Sequence, residues 1–140
     1  MRTLGIDYGE KRIGLAISDP MGFTAQGLPT INRVNTQDYL KELADIIREN
    51  NVNKIVVGLP KNMNDTLGKK AEEVLEFVEV LKSNLNLTVY TVDERLTTVR
   101  AHKAMSGTKM SRKKKQAKVD MISAQLILQS YLDKLAPLDH

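Results

Sequence analysis

Three acidic residues that lie far apart in the sequence, Asp7, Glu94 and Asp120, could together bind a metal ion. Asp7 ends an apolar run that begins at Thr3, Glu94 directly follows a strand-like run that begins at Leu87, and Asp120 lies near the start of a strongly apolar helical pattern. Carboxylate oxygens are the ligands that the hard cations Mg²⁺ and Mn²⁺ take in sites of phosphate transfer. The three residues therefore predict metal-dependent chemistry on phosphodiester bonds.

The elements that must bring these residues together alternate in their periodicity. Strands are predicted over 3–7, 12–18, 27–31, 54–58 and 87–93, and helices over 39–47, 67–81, a short segment ending at 102, and about 117–135. Asn35 or Thr36 is the predicted N-cap of the first helix, and Pro29 favours an edge position for the third strand. The order predicts an α/β fold of the ribonuclease H-like type, with a mixed five-stranded sheet of three antiparallel strands plus parallel strands, flanked by helices.

Basic residues are concentrated in one segment. Between Arg95 and Lys118 there are nine Lys or Arg and no Asp or Glu, whereas the rest of the chain has 12 basic and 17 acidic residues. Clustered cations displace the counterions of a phosphate backbone, so the segment predicts a nucleic-acid partner. A solvated loop is the alternative, and proximity to Asp120 favours nucleic acid. The predicted nucleic-acid-binding residues are Arg12, Arg95, Lys109, Arg112, Lys113, Lys114 and Lys115. Arg12 and Arg95 suit phosphate clamps and structural ion pairs equally.

Composition narrows the remaining possibilities. A chain of 140 residues corresponds to one domain, predicted over 1–140, and the lack of cysteine excludes disulfides and zinc–thiolate sites. No apolar run approaches the roughly 20 residues of a membrane span, so we expect a cytoplasmic protein with no membrane partner. With two Phe, four Tyr and no Trp, platforms for base stacking are not expected, and backbone electrostatics should dominate binding.

Five blocks of the sequence resemble the YqgF family. They are Gly5–Gly9, Arg12–Asp19, Gly58–Pro60, Asp93–Thr98 and Val119–Asp120 with the following 127–132, and they occur in the family's order over nearly the whole chain. The resemblance implies a ribonuclease H-like nuclease that depends on Mg²⁺ or Mn²⁺, with Asp7, Glu94 and Asp120 as its catalytic and metal-binding carboxylates. Neighbouring strand residues point to opposite faces, so only one of Asp93 and Glu94 can join Asp7, and the family pattern favours Glu94. Where relatives often have Ala-Ala after the last Asp, this chain has Ser123-Ala124.

The resemblance implies a role in maturing the 5′ end of pre-16S ribosomal RNA, and three alternatives stay open. A Holliday-junction resolvase would use the same acidic site on four-way DNA, but it needs a symmetric dimer, and no dimer helix is evident, so a monomer or weak dimer is expected. A nucleotide-phosphate binder of the actin and sugar-kinase type would need two such domains. A non-catalytic RNA-binding module is the third alternative, which the three intact carboxylates disfavour.

Overall fold

A computed structural model of the chain describes residues 2–34, 38–60, 68–93 and 111–135. Its elements are β1 (Arg2–Tyr8), β2 (Arg12–Ser18), β3 (Ala25–Asn32), α1 (Tyr39–Glu49), β4 (Val52–Leu59), α2 (Lys69–Leu85), β5 (Thr88–Asp93) and α3 (Arg112–Leu135). The short helix predicted to end at 102 lies outside the described residues. No described helix is both long and apolar enough to cross a membrane.

The five strands form one mixed sheet in the order β3-β2-β1-β4-β5. Strand β1 pairs antiparallel with β2 and parallel with β4, β2 pairs antiparallel with β3, and β4 pairs parallel with β5. This arrangement confirms the predicted sheet, and β3 is an edge strand as Pro29 indicated. The β2–β3 register shifts between Ile13 and Leu15, opposite the part of β3 that contains Pro29, where a residue without an N–H is tolerated.

The two faces of the sheet bury different helices. Strand β1 alternates, so Leu4 and Ile6 pack in the core with α1 and α2, whereas Gly5 contacts α3. The core under α1 and α2 is the larger, and it includes Leu43, Ile55, Val57, Ala71, Val74, Phe77, Val78 and Leu81. On the opposite face, α3 contacts all five strands, as its largely apolar pattern predicted.

The N-cap of α1 and the first residue of α3 differ from those predicted. Asp38, not Asn35 or Thr36, caps α1, because its carboxylate accepts a hydrogen bond from the Lys41 backbone N–H at 3.0 Å. Helix α3 begins at Arg112, five residues before the predicted start, and the Ser111 hydroxyl accepts a bond from the Lys114 N–H at 3.3 Å. The basic residues 112–115 therefore form the first turn of α3 and do not precede it.

Candidate active site

Asp7 lies where β1 ends, on the face of the sheet that α3 covers. It belongs to the same face as Gly5, two residues earlier, and it is half-buried. Its cross-strand partner in β2 is Gly14. Directly opposed residues have Cβ positions roughly 4.5–5.5 Å apart, so whatever lies on Gly14 is a neighbour of the Asp7 side chain.

Asp120 is the residue that lies on Gly14. A Cβ at Gly14 would overlap the backbone carbonyl oxygen of Asp120, and it would be 3.2 Å from the Asp120 Cβ. Only glycine leaves room for a helix backbone at this distance from a strand. Gly14 thus allows α3 to lie so close to β2 that Asp120 covers the strand position opposite Asp7, and two of the three predicted carboxylates belong to the same end of the sheet.

Contacts of the same kind fix α3 along its length. A Cβ at Gly5 would lie 2.7 Å from the Leu128 Cβ and 3.1 Å from the Ala124 carbonyl oxygen. The positions 120, 124 and 128 are successive i, i+4 neighbours, so one edge of α3 follows glycines of β1 and β2. Because Asp120 lies near the end of β1 and Leu128 near its middle, α3 runs antiparallel to β1.

Helix α3 is also tied to the edge strand β3. The Thr30 hydroxyl donates to the Ala117 carbonyl at 3.1 Å, and the Gln129 side chain accepts from the Ala25 N–H at 3.0 Å. These bonds reach β3 at both of its ends, and they complement the glycine contacts in fixing the register of the helix.

Two side chains hold the Asp120 carboxylate. Arg12 Nε donates to Oδ2 at 2.6 Å, and Gln116 Nε2 donates to Oδ1 at 3.4 Å. The Asp120 side chain is 15% exposed and that of Arg12 is 35% exposed, so the ion pair is partly shielded from water. Of the alternatives for Arg12, the structure has the ion pair, formed through one of the five guanidinium N–H donors. Sequence reasoning missed Gln116, although its i−4 spacing from Asp120 would have indicated it had the start of the helix been known.

The position of Asp120 excludes an ordinary role at a helix start. It is the ninth residue of α3, two turns beyond the basic first turn, and no acidic residue lies in that first turn. A carboxylate there gains little from the helix dipole, whose effect is confined to the terminal turn. The ion pair with Arg12 compensates the burial of the Asp120 charge, and a cation shared with Asp7 would do so as well.

Asp93 lies on the wrong face of the sheet to join Asp7. Val92 packs with Val56 and Ile127 under α3, so alternation assigns Asp93 to the face of α1 and α2. The choice between Asp93 and Glu94 is thereby narrowed, although Glu94 itself lies outside the described residues. Arg95 and Lys109 lie outside them as well.

The first turn of α3 carries four consecutive basic residues, 112–115. Arg112 and Lys114 are exposed, and Lys115 is half-buried; the side chain of Lys113 lies outside the described part of the chain. Cations at a helix N-terminus oppose the helix dipole, and each costs roughly 0.3–1 kcal/mol. This turn is therefore an unfavourable arrangement for the free helix and a favourable one when an anion is bound.

A buried hydroxyl lies on α3 between Asp120 and Ile127. Ser123 is fully buried, and its Oγ has no hydrogen-bond partner among the residues that the structure describes. Because Ile127 packs on Val56 and α3 runs antiparallel to β1, Ser123 lies nearer the end of the sheet that carries Asp7. Buried polar groups without partners are rare and call for a water or an ion.

The described donors suit a hard divalent cation. Asp7 and Asp120 offer oxygen ligands, the orphaned Ser123 hydroxyl lies on the same helix as Asp120, and the chain has no cysteine. Within residues 2–34, 38–60, 68–93 and 111–135, no group of three or more potential ligands is close enough to hold a metal ion. The third predicted ligand, Glu94, lies outside these ranges.

Comparison with known proteins identifies the family of this chain. The family model described as RuvX, Holliday junction resolvase, matches residues 1–134. A Clostridium acetobutylicum protein named "Putative pre-16S rRNA nuclease" is 52% identical over 96% of this chain and 100% of its own length. A Clostridium tetani protein of the same name is 54% identical over 96% of this chain and 98% of its own.

Solved structures share the fold at low sequence identity. RuvC from T. thermophilus in complex with a Holliday junction substrate superposes with a TM-score of 0.57 at 15% identity, covering 96% of both chains. The Fowlpox virus resolvase in complex with Holliday junction DNA gives 0.57 at 16% identity, covering 98% of this chain and 100% of the other. These likenesses confirm the predicted ribonuclease H-like fold. The family model and the close relatives together show that this chain belongs to the RuvX family, also called YqgF.

Proposed function

We propose that this protein is a metal-dependent endonuclease that hydrolyses phosphodiester bonds of RNA and matures the 5′ end of pre-16S ribosomal RNA. The single observation that supports the proposal is the contact of Asp120 with Gly14, the residue paired with Asp7 across β1 and β2. The close relatives, which match this chain over nearly its whole length, bear the corresponding name.

The metal would be Mg²⁺ or Mn²⁺, bound by Asp7, Asp120 and Glu94. Such an ion, when bound, activates water and stabilises the leaving oxygen of a phosphodiester. Glu94 is proposed because Asp93 belongs to the opposite face and Glu94 is the next residue of the chain. The protein's own contribution is to position the carboxylates, and for Asp120 the Gly14 contact and the hydrogen bond from Gln116 do so, while Arg12 balances its charge until a cation binds.

The basic turn of α3 and its flanks would bind the substrate. The turn at 112–115 precedes Asp120 by two helical turns, so a strand held there by its phosphates passes close to the carboxylates. Arg95 and Lys109 are proposed to extend this surface. Arg12, already paired with Asp120, would meet a phosphate through its remaining N–H donors.

We favour RNA over a DNA junction and a monomer or weak dimer over a stable dimer. A resolvase makes paired incisions with two symmetric sites, whereas one acidic site with one basic flank suits the cutting of one strand. The family description and the DNA complexes of RuvC and the Fowlpox enzyme support the resolvase as the alternative. Action on ribosomal RNA would place the protein in the cytoplasm.

Asp7→Asn tests the metal site, with Asp93→Asn as the matched control. Both changes remove one carboxylate charge at the same edge of the sheet, but only Asp7 lies on the face of α3. We expect Asp7→Asn to lose at least a hundredfold in cleavage rate and most of its Mn²⁺ affinity by calorimetry, with folding retained. Asp93→Asn should keep both. Wild-type cleavage by a folded Asp7→Asn protein would refute the site.

A side-by-side assay tests the substrate. Equal amounts of protein and Mn²⁺ are incubated with a pre-16S 5′-leader RNA and with a mobile four-way DNA junction, and the oligomeric state is measured by light scattering. We expect RNA cleavage by a monomer to exceed junction cleavage. Symmetric nicking of the junction by a stable dimer, with intact RNA, would establish the resolvase, and tight RNA binding without any cleavage would establish the non-catalytic module.

A further inference from the structure

A second pocket opens at the same edge of the sheet as Asp7 but on the opposite face. Tyr8 follows Asp7 directly and packs toward α1 and α2, where it lines a cavity of about 300 Å³. That volume is at the lower end of the range for small-molecule pockets. Adjacent Cα atoms are about 3.8 Å apart, so the pocket and the carboxylate site share one rim of the sheet.

Aromatic rings and a guanidinium form one side of this pocket. Tyr8 stacks on Phe77 with centroids 4.0 Å apart, and Tyr39 lies 6.1 Å from Phe77 at 41°. Arg33 lies over the rings of both tyrosines, 4.8 and 5.0 Å from their centroids, and its Nη1 donates to the Gly9 carbonyl at 3.0 Å. Tyr8, Tyr39 and Phe77 come from three different elements, Arg33 follows β3, and the guanidinium covers a face of each tyrosine ring, so a ligand in the cavity meets ring edges and the guanidinium.

Carboxylates form the other side. Glu73 and Glu76, at i, i+3 on α2, and Glu10, at the tip of the β1–β2 hairpin, line the cavity. Ionised carboxylates only accept hydrogen bonds, so a ligand here must supply donors. Burial and the neighbouring Tyr8 raise the pKa of Tyr39, which keeps that phenol neutral as a further hydrogen-bonding group.

The charges select the class of ligand. Three glutamates repel a phosphate, so the pocket is unsuited to the nucleic-acid backbone. The glutamates by themselves would attract a cation, but Arg33 and Lys70, 4.8 and 5.7 Å from the Tyr8 centroid, already supply two positive charges at this pocket. What remains is a neutral, flat ligand that donates hydrogen bonds, and a nucleobase has these properties.

We propose that this pocket binds one base of the RNA strand next to the cleaved bond, with guanine preferred. The Watson–Crick edge of guanine carries two adjacent N–H donors, at N1 and N2, which match the two oxygens of one carboxylate; uracil offers a single N–H between carbonyls. Enzymes that take a base out of its stack commonly combine stacking on flat side chains with hydrogen bonds to this edge. The inference rests on the proposed nuclease function and adds base selectivity to it.

Cleavage of defined RNAs tests the selectivity. A first set of oligoribonucleotides carries one guanosine, whose position is moved stepwise along a strand of uridines. In a second set, inosine replaces guanosine at the preferred position, a change that removes only the N2 amine. We expect wild-type protein with Mn²⁺ to cut at a fixed offset from the guanosine and to lose about tenfold with inosine or uridine. The double variant Glu73→Gln, Glu76→Gln should treat the three bases alike within twofold. Its matched control, Glu72→Gln with Glu79→Gln on the exposed side of α2, should keep the preference.

A binding measurement separates this inference from the nuclease function. The Asp7→Asn protein without metal is titrated with the same RNAs, while the ring resonances of Tyr8 and Tyr39 are followed by NMR. We expect the guanosine strand to shift both resonances and to bind about tenfold more tightly than the inosine or uridine strands. If the wild-type protein cuts none of the RNAs but the difference in binding affinity is found, the base pocket is supported and the nuclease proposal is wrong. Equal binding of the three RNAs or unshifted tyrosine resonances would overturn the base pocket. Titration with an arginine-rich peptide is the further control, and resonance shifts produced by that peptide alone would overturn it as well.

Discussion

Gly14→Ala should destabilise the protein and inactivate it, because the added methyl group has no room beneath Asp120. The atom it would overlap is a backbone carbonyl oxygen in the third turn of α3, which cannot rotate away. The helix must move outward or β2 must bend. Either response shifts the Asp120 carboxylate from Asp7, so the mutation acts on the site without changing any side chain that bears a charge.

The expected magnitude follows from two opposed terms. Replacing glycine by alanine within a strand removes an entropic cost of roughly 0.5–1 kcal/mol and would stabilise the protein if space were free. Overpacking against rigid atoms costs about 1–3 kcal/mol and occasionally more. Because the overlapped atom belongs to the backbone, the upper end of this cost applies, and about 3 kcal/mol less the entropic gain leaves a net loss of about 2 kcal/mol, which for a chain of this length lowers the melting temperature by roughly 6–8 °C.

Gly27→Ala is the matched control. Gly27 also lies beneath α3, on β3, but its added methyl group would meet the end of the Met121 side chain, which can adopt another rotamer. Its melting temperature should stay within about 3 °C of wild type, and cleavage within about twofold. Differential scanning calorimetry and the RNA cleavage assay measure both quantities. A Gly14→Ala protein as stable and active as Gly27→Ala would refute the close contact of Asp120 with β2.

Further substitutions test other parts of the molecule. Ser123→Ala should raise the melting temperature of the metal-free protein by about 3 °C or more, because an unpartnered buried hydroxyl costs roughly 1–3 kcal/mol; a decrease would reveal a partner. Replacing residues 112–115 by Gln should weaken RNA binding for all sequences alike and reduce the slope of log K against log salt by roughly one unit per lost phosphate contact, and an unchanged slope would exclude the turn from the interface. Arg12→Gln should raise Mn²⁺ affinity severalfold in calorimetry, because a cation competes with Arg12 for Asp120; weaker binding would show that the pair helps to build the site. Hydrogen bonds from the Thr24 backbone and its neighbours lower the pKa of Asp19, so its stabilising effect is present above about pH 4 and is lost as the pH falls through the lowered pKa; melting curves of Asp19→Asn and wild type should therefore converge in acid.

The strand pattern of the sequence predicted the elements that position Asp7. The hairpin, the edge location of β3 and the parallel strands after each helix were all evident from alternation, short apolar runs and Pro29. The start of α3 was not evident, because residues 112–115 are polar on every side and show no apolar period. Only Ser111 indicated the boundary, and the excess of lysine obscured it.

The sequence alone could not predict which side chains form pairs across the fold. Arg12 and Asp120 are 108 residues apart, and nothing in either local pattern selects that ion pair over a phosphate clamp. Composition also concealed the second pocket, because six aromatic residues in 140 predicted no stacking platform, yet three of the six, at positions 8, 39 and 77, meet beside Arg33. Such convergence depends on three separate elements docking on one face, which no local pattern records.

The unfavourable charge at the start of α3 would couple the binding of an anion there to the stability of the helix that carries Asp120. Four cations against the positive end of the helix dipole cost roughly 1–4 kcal/mol in total, and bound phosphates remove that cost. Whatever binds the folded turn better than the unfolded turn stabilises it by mass action. The same helix holds Asp120 two turns later, so a polyanion bound at the basic turn would also stabilise the element that carries this proposed metal ligand. Anion binding at the basic turn and ordering of the helix that carries Asp120 are therefore linked equilibria. Anions that are too small to be cleaved should already shift both.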